Sequence, residues 1–208
     1  MRVAILSPEA VPFAKVGGLA DVSGALTKAL HAKDVDSFLI LPFYDQIDQS
    51  LVSGVVFEDL EFQWRGKQAR IRVLKSDTLN GPTYLIDAPY YFARGKIYGD
   101  NDDFERFAFF CRAAVALMNR MGEAPDVVHL NDWPCGFAAI ELRARQRHEE
   151  FFRPTKTLFS IHNMAYQGLF DPAALWWMDF ASYTDDFTVR GAASALKAVW
   201  SQQTRSPR

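Results

Sequence analysis

Val3-Ala4-Ile5-Leu6, a loop from Ser7 to Ala14, and then Lys15-Val16-Gly17-Gly18-Leu19-Ala20-Asp21-Val22 form the stretch that decides the fold. The first four residues are a short apolar run of strand type. Leu19, Val22, Leu26 and Leu30 recur at helical spacing, which predicts a helix over 19–32 with that face turned inward. Two glycines and a lysine at a strand-to-helix junction suit an anion: the glycines let backbone N–H groups come close, and the helix N-terminus and the ammonium both carry positive charge. A plain tight turn accounts for the same glycines equally well. The glycine spacing matches neither the dinucleotide fingerprint nor the nucleoside-triphosphate loop.

Working outward, Ser37-Phe38-Leu39-Ile40-Leu41-Pro42 is a second strand closed by its proline. Strand and helix patterns that alternate in this way predict a parallel sheet with helices on both faces. Between about 51 and 88 the character changes. Phe57, Phe62, Trp64, Ile71 and Val73 lie in short alternating runs around Arg65-Gly66-Lys67, which predicts antiparallel strands added to the parallel sheet. Thr83 to Asp87 reads as another core strand, and 89–103 as a loop. A long helix then presents Phe104, Phe107, Ala108, Cys111, Val115 and Met118 on one face. A strand at 127–130, a helix at about 135–148 and a strand at 157–161 complete the alternation. With no internal repeat and no linker, the expectation is one domain.

The 208 residues are 49% apolar and 23% charged with a net charge of −2, an ordinary globular balance that argues against nucleic acid as a partner. No apolar run reaches membrane-span length. Met1-Arg2 leads into a core strand without a basic-then-apolar signal region, so the expected compartment is the cytoplasm. Cys111 and Cys135 are too few for a disulfide framework. Cys135, at a helix start, is either a thiolate-prone residue or an inert packed one.

In open α/β sheets ligands bind at the carboxyl ends of the strands. Lys15, Asp132 and His162 all fall just after strands and are therefore brought to one edge. Each has a plain structural alternative: Asp132 can cap the turn beginning Trp133-Pro134, and His162 can be a hydrogen-bonded structural histidine. His129 lies inside an apolar strand and reads as structural, while His31 and His148 read as exposed helix-end residues. Asp100-Asn101-Asp102-Asp103 lacks calcium-loop spacing, and no metal is expected; a solvated loop with a helix cap at Asp102 or Asp103 is the reading. Trp176 and Trp177 are open to sugar stacking or to core packing.

Pro125-Asp126-Val127-Val128-His129-Leu130-Asn131-Asp132-Trp133 and Thr157-Leu158-Phe159-Ser160-Ile161-His162-Asn163-Met164-Ala165-Tyr166-Gln167-Gly168 both end strands in polar residues. Together with Ser7-Pro8-Glu9 and the Lys15–Val22 segment, they closely resemble the bacterial glycogen synthase and plant starch synthase family, in the same order, from residue 1 to about 198. The resemblance implies the Rossmann-like N-terminal half of a two-domain GT-B glycosyltransferase, an α/β fold with a mostly parallel sheet and an added antiparallel section. It implies retaining transfer of glucose from ADP-glucose, the donor substrate, to the non-reducing end of an α-1,4-glucan, with no cofactor. By resemblance, Lys15 contacts the donor diphosphate, with Gly17 and Gly18 giving close backbone approach. Asp132 lies near the transferred glucose and His162 holds a sugar hydroxyl, the two being the catalytic candidates. Asp21, Tyr98 and Asn163 join the substrate-binding set, Tyr98 at the sugar end of the cleft.

Against the family pattern, Val16 stands where threonine is usual, and Asn131 and Pro134 replace residues that are commonly histidine. The resemblance also implies a second Rossmann-like domain, with further cations on the diphosphate, that this sequence does not contain. Residues 1–198 read as an N-terminal domain incomplete at its C-terminal end. Residues 199–208 read as a divergent, polar and basic tail produced by a frameshift, a premature stop or an imposed end. The expectation is an enzyme part that is inactive alone. The alternative is a non-catalytic glucan-binding or relic fragment of the same fold.

Overall fold

The computed structural model describes residues 1–203. The chain runs β1 (Arg2–Leu6), α1 (Gly18–His31), β2 (Asp36–Pro42), β3 (Gly54–Trp64), β4 (Lys67–Ser76), β5 (Thr83–Asp87), α2 (Pro89–Phe92), α3 (Asp103–Arg120), β6 (Val127–Asn131), α4 (Gly136–His148) and β7 (Lys156–Ser160). It continues through β8 (Leu169–Phe170), α5 (Ala174–Trp177), α6 (Thr184–Phe187), β9 (Thr188–Val189), β10 (Ala192–Ser194) and α7 (Ala195–Gln203). Of the tail segment 199–208, residues 199–203 complete α7, and 204–208 lie outside the described residues. Among the described residues no helix is long and apolar enough to cross a membrane.

The main sheet has the order β3-β4-β5-β2-β1-β6-β7. Strands β5, β2, β1, β6 and β7 are parallel to one another, and the antiparallel hairpin β3–β4 extends the sheet beyond β5. Arg65 and Gly66 both take positive φ, 54° and 66°. Two such residues make the turn whose twist matches its flanking strands. Register positions the site: Leu6 pairs with Leu130, Leu130 with Phe159, and Asn131 with Ser160. The chain therefore leaves β1, β6 and β7 at the same level, and the segments after them meet at one edge.

Helix α1 buries Leu19, Ala20, Ser23, Gly24 and Thr27, whereas Val22 is 46% exposed and Leu26 and Leu30 are half-buried. The inward face is thus rotated from the one the leucine spacing predicts. Close approach decides it: a Cβ at Gly24 would lie 2.5 Å from the carbonyl oxygen of Val11, and Ser23 Oγ pairs with Ser7 Oγ at 2.8 Å. Small residues let the helix settle onto the loop after β1, a gain that apolar spacing does not register.

Helix α3 is buried continuously from Glu105 to Met118, not along one face. Its charges survive burial because they are paired. Arg112 meets Glu141 at 3.2 Å and Asp179 at 3.0 Å, and Arg106, wholly inaccessible, meets Asp103 at 2.7 Å and Asp100 at 3.0 Å. Phe109 stacks on Tyr91, ring centroids 4.2 Å apart, and lies edge-on to Trp64 at 5.5 Å. Rings buried in this way each stabilise by about 1.5–3 kcal/mol relative to exposure. A second, three-stranded sheet, β8-β10-β9, escapes the sequence reading because its strands are too short to establish a period.

Candidate functional site

Asp132 follows β6 with φ 60° and ψ 176°. That combination is a region essentially reserved for glycine, and a residue held there stores strain. The structure over-determines it. Its N–H continues the sheet by donating to Ser160 O at 2.9 Å, and its Oδ1 accepts from Trp133 N at 2.9 Å. The side chain therefore does cap the turn at Trp133–Cys135, as the structural alternative expects, and in doing so it stays at the sheet edge. Burial pushes the Asp132 carboxyl above its ordinary range, and the amides of Trp133 and Asn163 and nearby His162 pull the other way.

An acid with a raised native pKa holds its proton to higher pH when folded than when unfolded. The stability tied to the neutral form is complete below the unfolded value near 3.8 and is lost as pH rises through the folded value. Asp132→Asn, which cannot ionise, should therefore gain on the wild type as pH rises from about 3.5 to 6.5. Urea midpoints at the two ends check this, and a midpoint of Asp132→Asn that falls relative to the wild type as pH rises contradicts it.

His162 is exposed, and its ring is aimed by Asn131. The Asn131 amide nitrogen donates to Leu6 O at 3.1 Å, so its oxygen faces His162 Nε2, also at 3.1 Å. Nε2 must then carry the proton, which leaves Nδ1 as the acceptor of the neutral ring. Asn131, buried at the end of β6, thus fixes the tautomer, a role that its position in the sequence does not signal. Asn163 accepts from Ala165 N at 2.9 Å, turning the segment after β7. His129 pairs with Ser160 Oγ at 2.8 Å, and burial lowers its pKa.

Lys15 Nζ contacts both carboxylate oxygens of Asp21 at 2.7 Å, and both side chains are exposed. An anion at this loop competes with Asp21 for the ammonium. Gly17 and Gly18 have open space where a Cβ would stand. The amide of Gly17 is nevertheless committed: with that of Val16 it donates to Glu9 Oε2, at 3.0 and 2.6 Å respectively. The Gly17 amide is thus taken up within the protein and is not offered to an anion unless Glu9 gives way. Tyr98 is half-buried, its hydroxyl donating to Glu9 Oε1 at 3.1 Å, and burial drives its pKa far above the ordinary tyrosine value.

A cleft of about 310 Å³ is walled by Asp100, Asn101, Asp103, Phe104, Trp133 and residues 165–169; Lys15, Asp132, His162 and Tyr98 are not in its wall, which Asp132 adjoins through the next residue, Trp133. Gly168 shapes it. With φ at 59°, a Cβ there would lie 2.3 Å from the Trp133 ring. The acidic run beside the cleft is an ion-paired wall rather than a solvated cap. Asp100 meets Lys96 and Arg106, Asp102 meets Arg94, and Asp103 accepts from Arg106 and from Gly99 N. Although Asp102 sits at the N-cap of α3, its side chain makes no capping bond. Trp177 lies under Arg65, 4.8 Å from ring centroid to guanidinium, while Trp176 is 74% exposed; neither is core. His31 is half-buried rather than exposed, its Nε2 3.4 Å from Ser37 Oγ. Cys135 is fully buried, and burial pushes its thiol up, away from a thiolate role.

Residues 2–201 match the family described as starch synthase catalytic domain. Glycogen synthase from Streptococcus equi subsp. zooepidemicus is 39% identical over 178 residues, covering 84% of this chain and 37% of that protein. Glycogen synthase from Clostridium botulinum (strain Eklund 17B) is 39% identical over 192 residues, covering 89% and 40%. The catalytic domain of starch synthase IV from Arabidopsis thaliana, solved bound to ADP and acarbose, superposes with a TM-score of 0.83 at 29% identity, covering 95% of this chain and 43% of that one. The chain thus spans well under half the length of the curated relatives it matches. The mostly parallel sheet is that of a GT-B glycosyltransferase half, and with residues 2–201 matched, this chain belongs to the starch synthase catalytic domain family.

Proposed function

We propose that these residues form the acceptor-side part of a glucan synthase site, in which glucose passes from ADP-glucose to the non-reducing end of an α-1,4-glucan with retention. The observation that supports this reading is the register of β1, β6 and β7, which sends the segments carrying Lys15, Asp132 and His162 off one sheet edge, with Trp133 and residues 165–169 of the latter two walling an aromatic cleft. Phe104, Trp133 and Tyr166 offer ring faces for the apolar side of a sugar, and Asp100, Asn101 and Gln167 offer partners for hydroxyls.

In this reading Lys15 and the start of α1 meet the negative charge that develops on the departing diphosphate. Asp132 lies beside the transferred glucose, where a carboxylate stabilises an oxocarbenium-like sugar, and His162, its Nε2 taken by Asn131, turns Nδ1 to a hydroxyl. Asp21 pairs with Lys15, and the Asn163 amide lies on the side of the Asp132 carboxyl where it favours the ionised form. One ammonium and one helix end supply only part of the stabilisation that diphosphate departure needs. The remainder belongs to the part of the curated relatives beyond the stretch matched.

Residues 1–208 are therefore expected to co-sediment with glycogen, and Trp133→Ala to weaken that binding about fivefold or more. They are expected to incorporate no more radiolabelled glucose from ADP-glucose than a Lys15→Ala control. Incorporation above the control contradicts the division of labour, and failure to bind glycogen contradicts the acceptor assignment. Firm glycogen binding with no response to ADP-glucose points to a non-catalytic glucan-binding module.

A further inference from the structure

The carboxylate of Glu9, 4% exposed, is shared between two loops far apart in sequence. Its Oε2 accepts from the amides of Val16 and Gly17, and its Oε1 accepts from the Tyr98 hydroxyl, 89 residues away. The backbone around Glu9 is pinned from behind. Ser7 Oγ donates to Glu9 O at 2.7 Å, and Tyr44, fully buried, donates to Pro8 O at 2.8 Å. With its main chain fixed, the side chain acts as a strut rather than a tether.

Each end of the strut bears on one part of the site. On one side, Val16 and Gly17 lie between Lys15 and the start of α1. On the other, Tyr98 belongs to the segment Ile97–Asp103, which Arg106 clamps from beneath. Arg106 donates to Ile97 O at 3.4 Å and pairs with Asp100 and Asp103, the two acids that wall the cleft. A continuous set of polar contacts therefore runs from the cleft wall through Tyr98 and Glu9 to the lysine loop.

We propose that Glu9 is a positioning residue that couples the Lys15–Gly18 loop to the cleft wall, so that displacement of one is felt by the other. What the coupling serves, a donor diphosphate and a glucan end held in register, rests on the reading above; the coupling itself does not. A carboxylate suits the role because each oxygen accepts, and two N–H donors and one O–H converge on it. Hydrogen bonds to a charged acceptor are the strong ones, and a small cluster of them can hold a loop that has little apolar burial of its own.

Amide hydrogen exchange on the 208-residue chain tests this without any ligand, so the outcome does not depend on whether the protein transfers glucose. Tyr98→Phe removes one hydroxyl on the cleft side and touches nothing in the lysine loop. It is expected to speed exchange at the Val16 and Gly17 amides about tenfold while amides within Phe107–Leu117 keep their rates. Glu9→Ala should speed the same two amides at least as much, and Tyr98→Phe added to it should change nothing more. Glu9→Gln keeps an oxygen for the amides and an NH₂ for the tyrosine oxygen, and should fall between. Unchanged Val16 and Gly17 rates in Tyr98→Phe overturn the proposal. So does faster exchange spread evenly through α3, which would mark general destabilisation.

Discussion

Asp132→Gly is expected to be more stable than Asp132→Ala, although glycine in place of alanine ordinarily weakens a protein. Both variants lose the carboxylate and its bond to the amide of Trp133, so their difference isolates the backbone. At φ 60° and ψ 176° alanine inherits the strain that aspartate bears, on the order of 1–3 kcal/mol, and glycine does not. The broader unfolded ensemble of glycine takes back roughly 0.4–1 kcal/mol. Glycine should remain ahead by about 1 kcal/mol in urea unfolding. Equal midpoints, or alanine ahead, would show that the turn is unstrained. In a protein carrying the whole glucosyl-transfer activity, both substitutions should lower turnover on the order of 10²–10³-fold, the usual loss when one preorganised electrostatic group is removed. Stability recovered together with activity lost would mark Asp132 as strained for function rather than for folding.

Arg106→Met should cost about 3–5 kcal/mol, the penalty for breaking a buried ion pair from one side. The guanidinium is inaccessible, donates to Tyr91 O at 2.7 Å and pairs with Asp103 at 2.7 Å and Asp100 at 3.0 Å. Methionine fills much of the volume but takes away the donor of Asp103 Oδ1 and of the carbonyls of Tyr91 and Ile97, leaving Asp103 only Gly99 N at its other oxygen. Arg106→Lys keeps the charge and loses the planar fork that reaches several acceptors at once, and should be intermediate. Denaturant unfolding gives the magnitude, and limited proteolysis within 97–103 should report the loosened cleft wall first. A loss under about 1 kcal/mol for Arg106→Met would mean that the wall stands without its clamp.

The strands that hold the site are legible in the sequence because parallel strands, buried on both faces, appear as unbroken apolar runs. Val3–Leu6 and Phe38–Leu41 are such runs, and Val127–Leu130 departs from one only at His129. The rule that ligands gather at strand carboxyl ends then groups Lys15, Asp132 and His162 without any side-chain detail. What stays hidden depends on partners remote in sequence. The inward face of α1 turns on Gly24 meeting Val11 and Ser23 meeting Ser7, contacts that carry no apolar period. Helix α3 looks amphipathic until Arg106 and Arg112 are given their acids. Glu9 is plain to see beside Ser7 and Pro8, yet its work requires Val16, Gly17 and Tyr98 to be folded onto it. The tautomer of His162 likewise waits on an asparagine whose own amide is oriented by Leu6.

In the function proposed, one sheet edge holds two adjoining ligand positions, an anion position at Lys15–Gly18 and a saccharide position in the cleft. Amide chemical-shift mapping of residues 1–208, titrated separately with ADP and with maltoheptaose, tests it most directly. ADP is expected to move Lys15, Gly18 and Leu19, and maltoheptaose to move Phe104, Trp133, Tyr166 and Gly168. Shifts from either ligand that fall away from this edge, or no shifts from maltoheptaose at millimolar concentration, would contradict it.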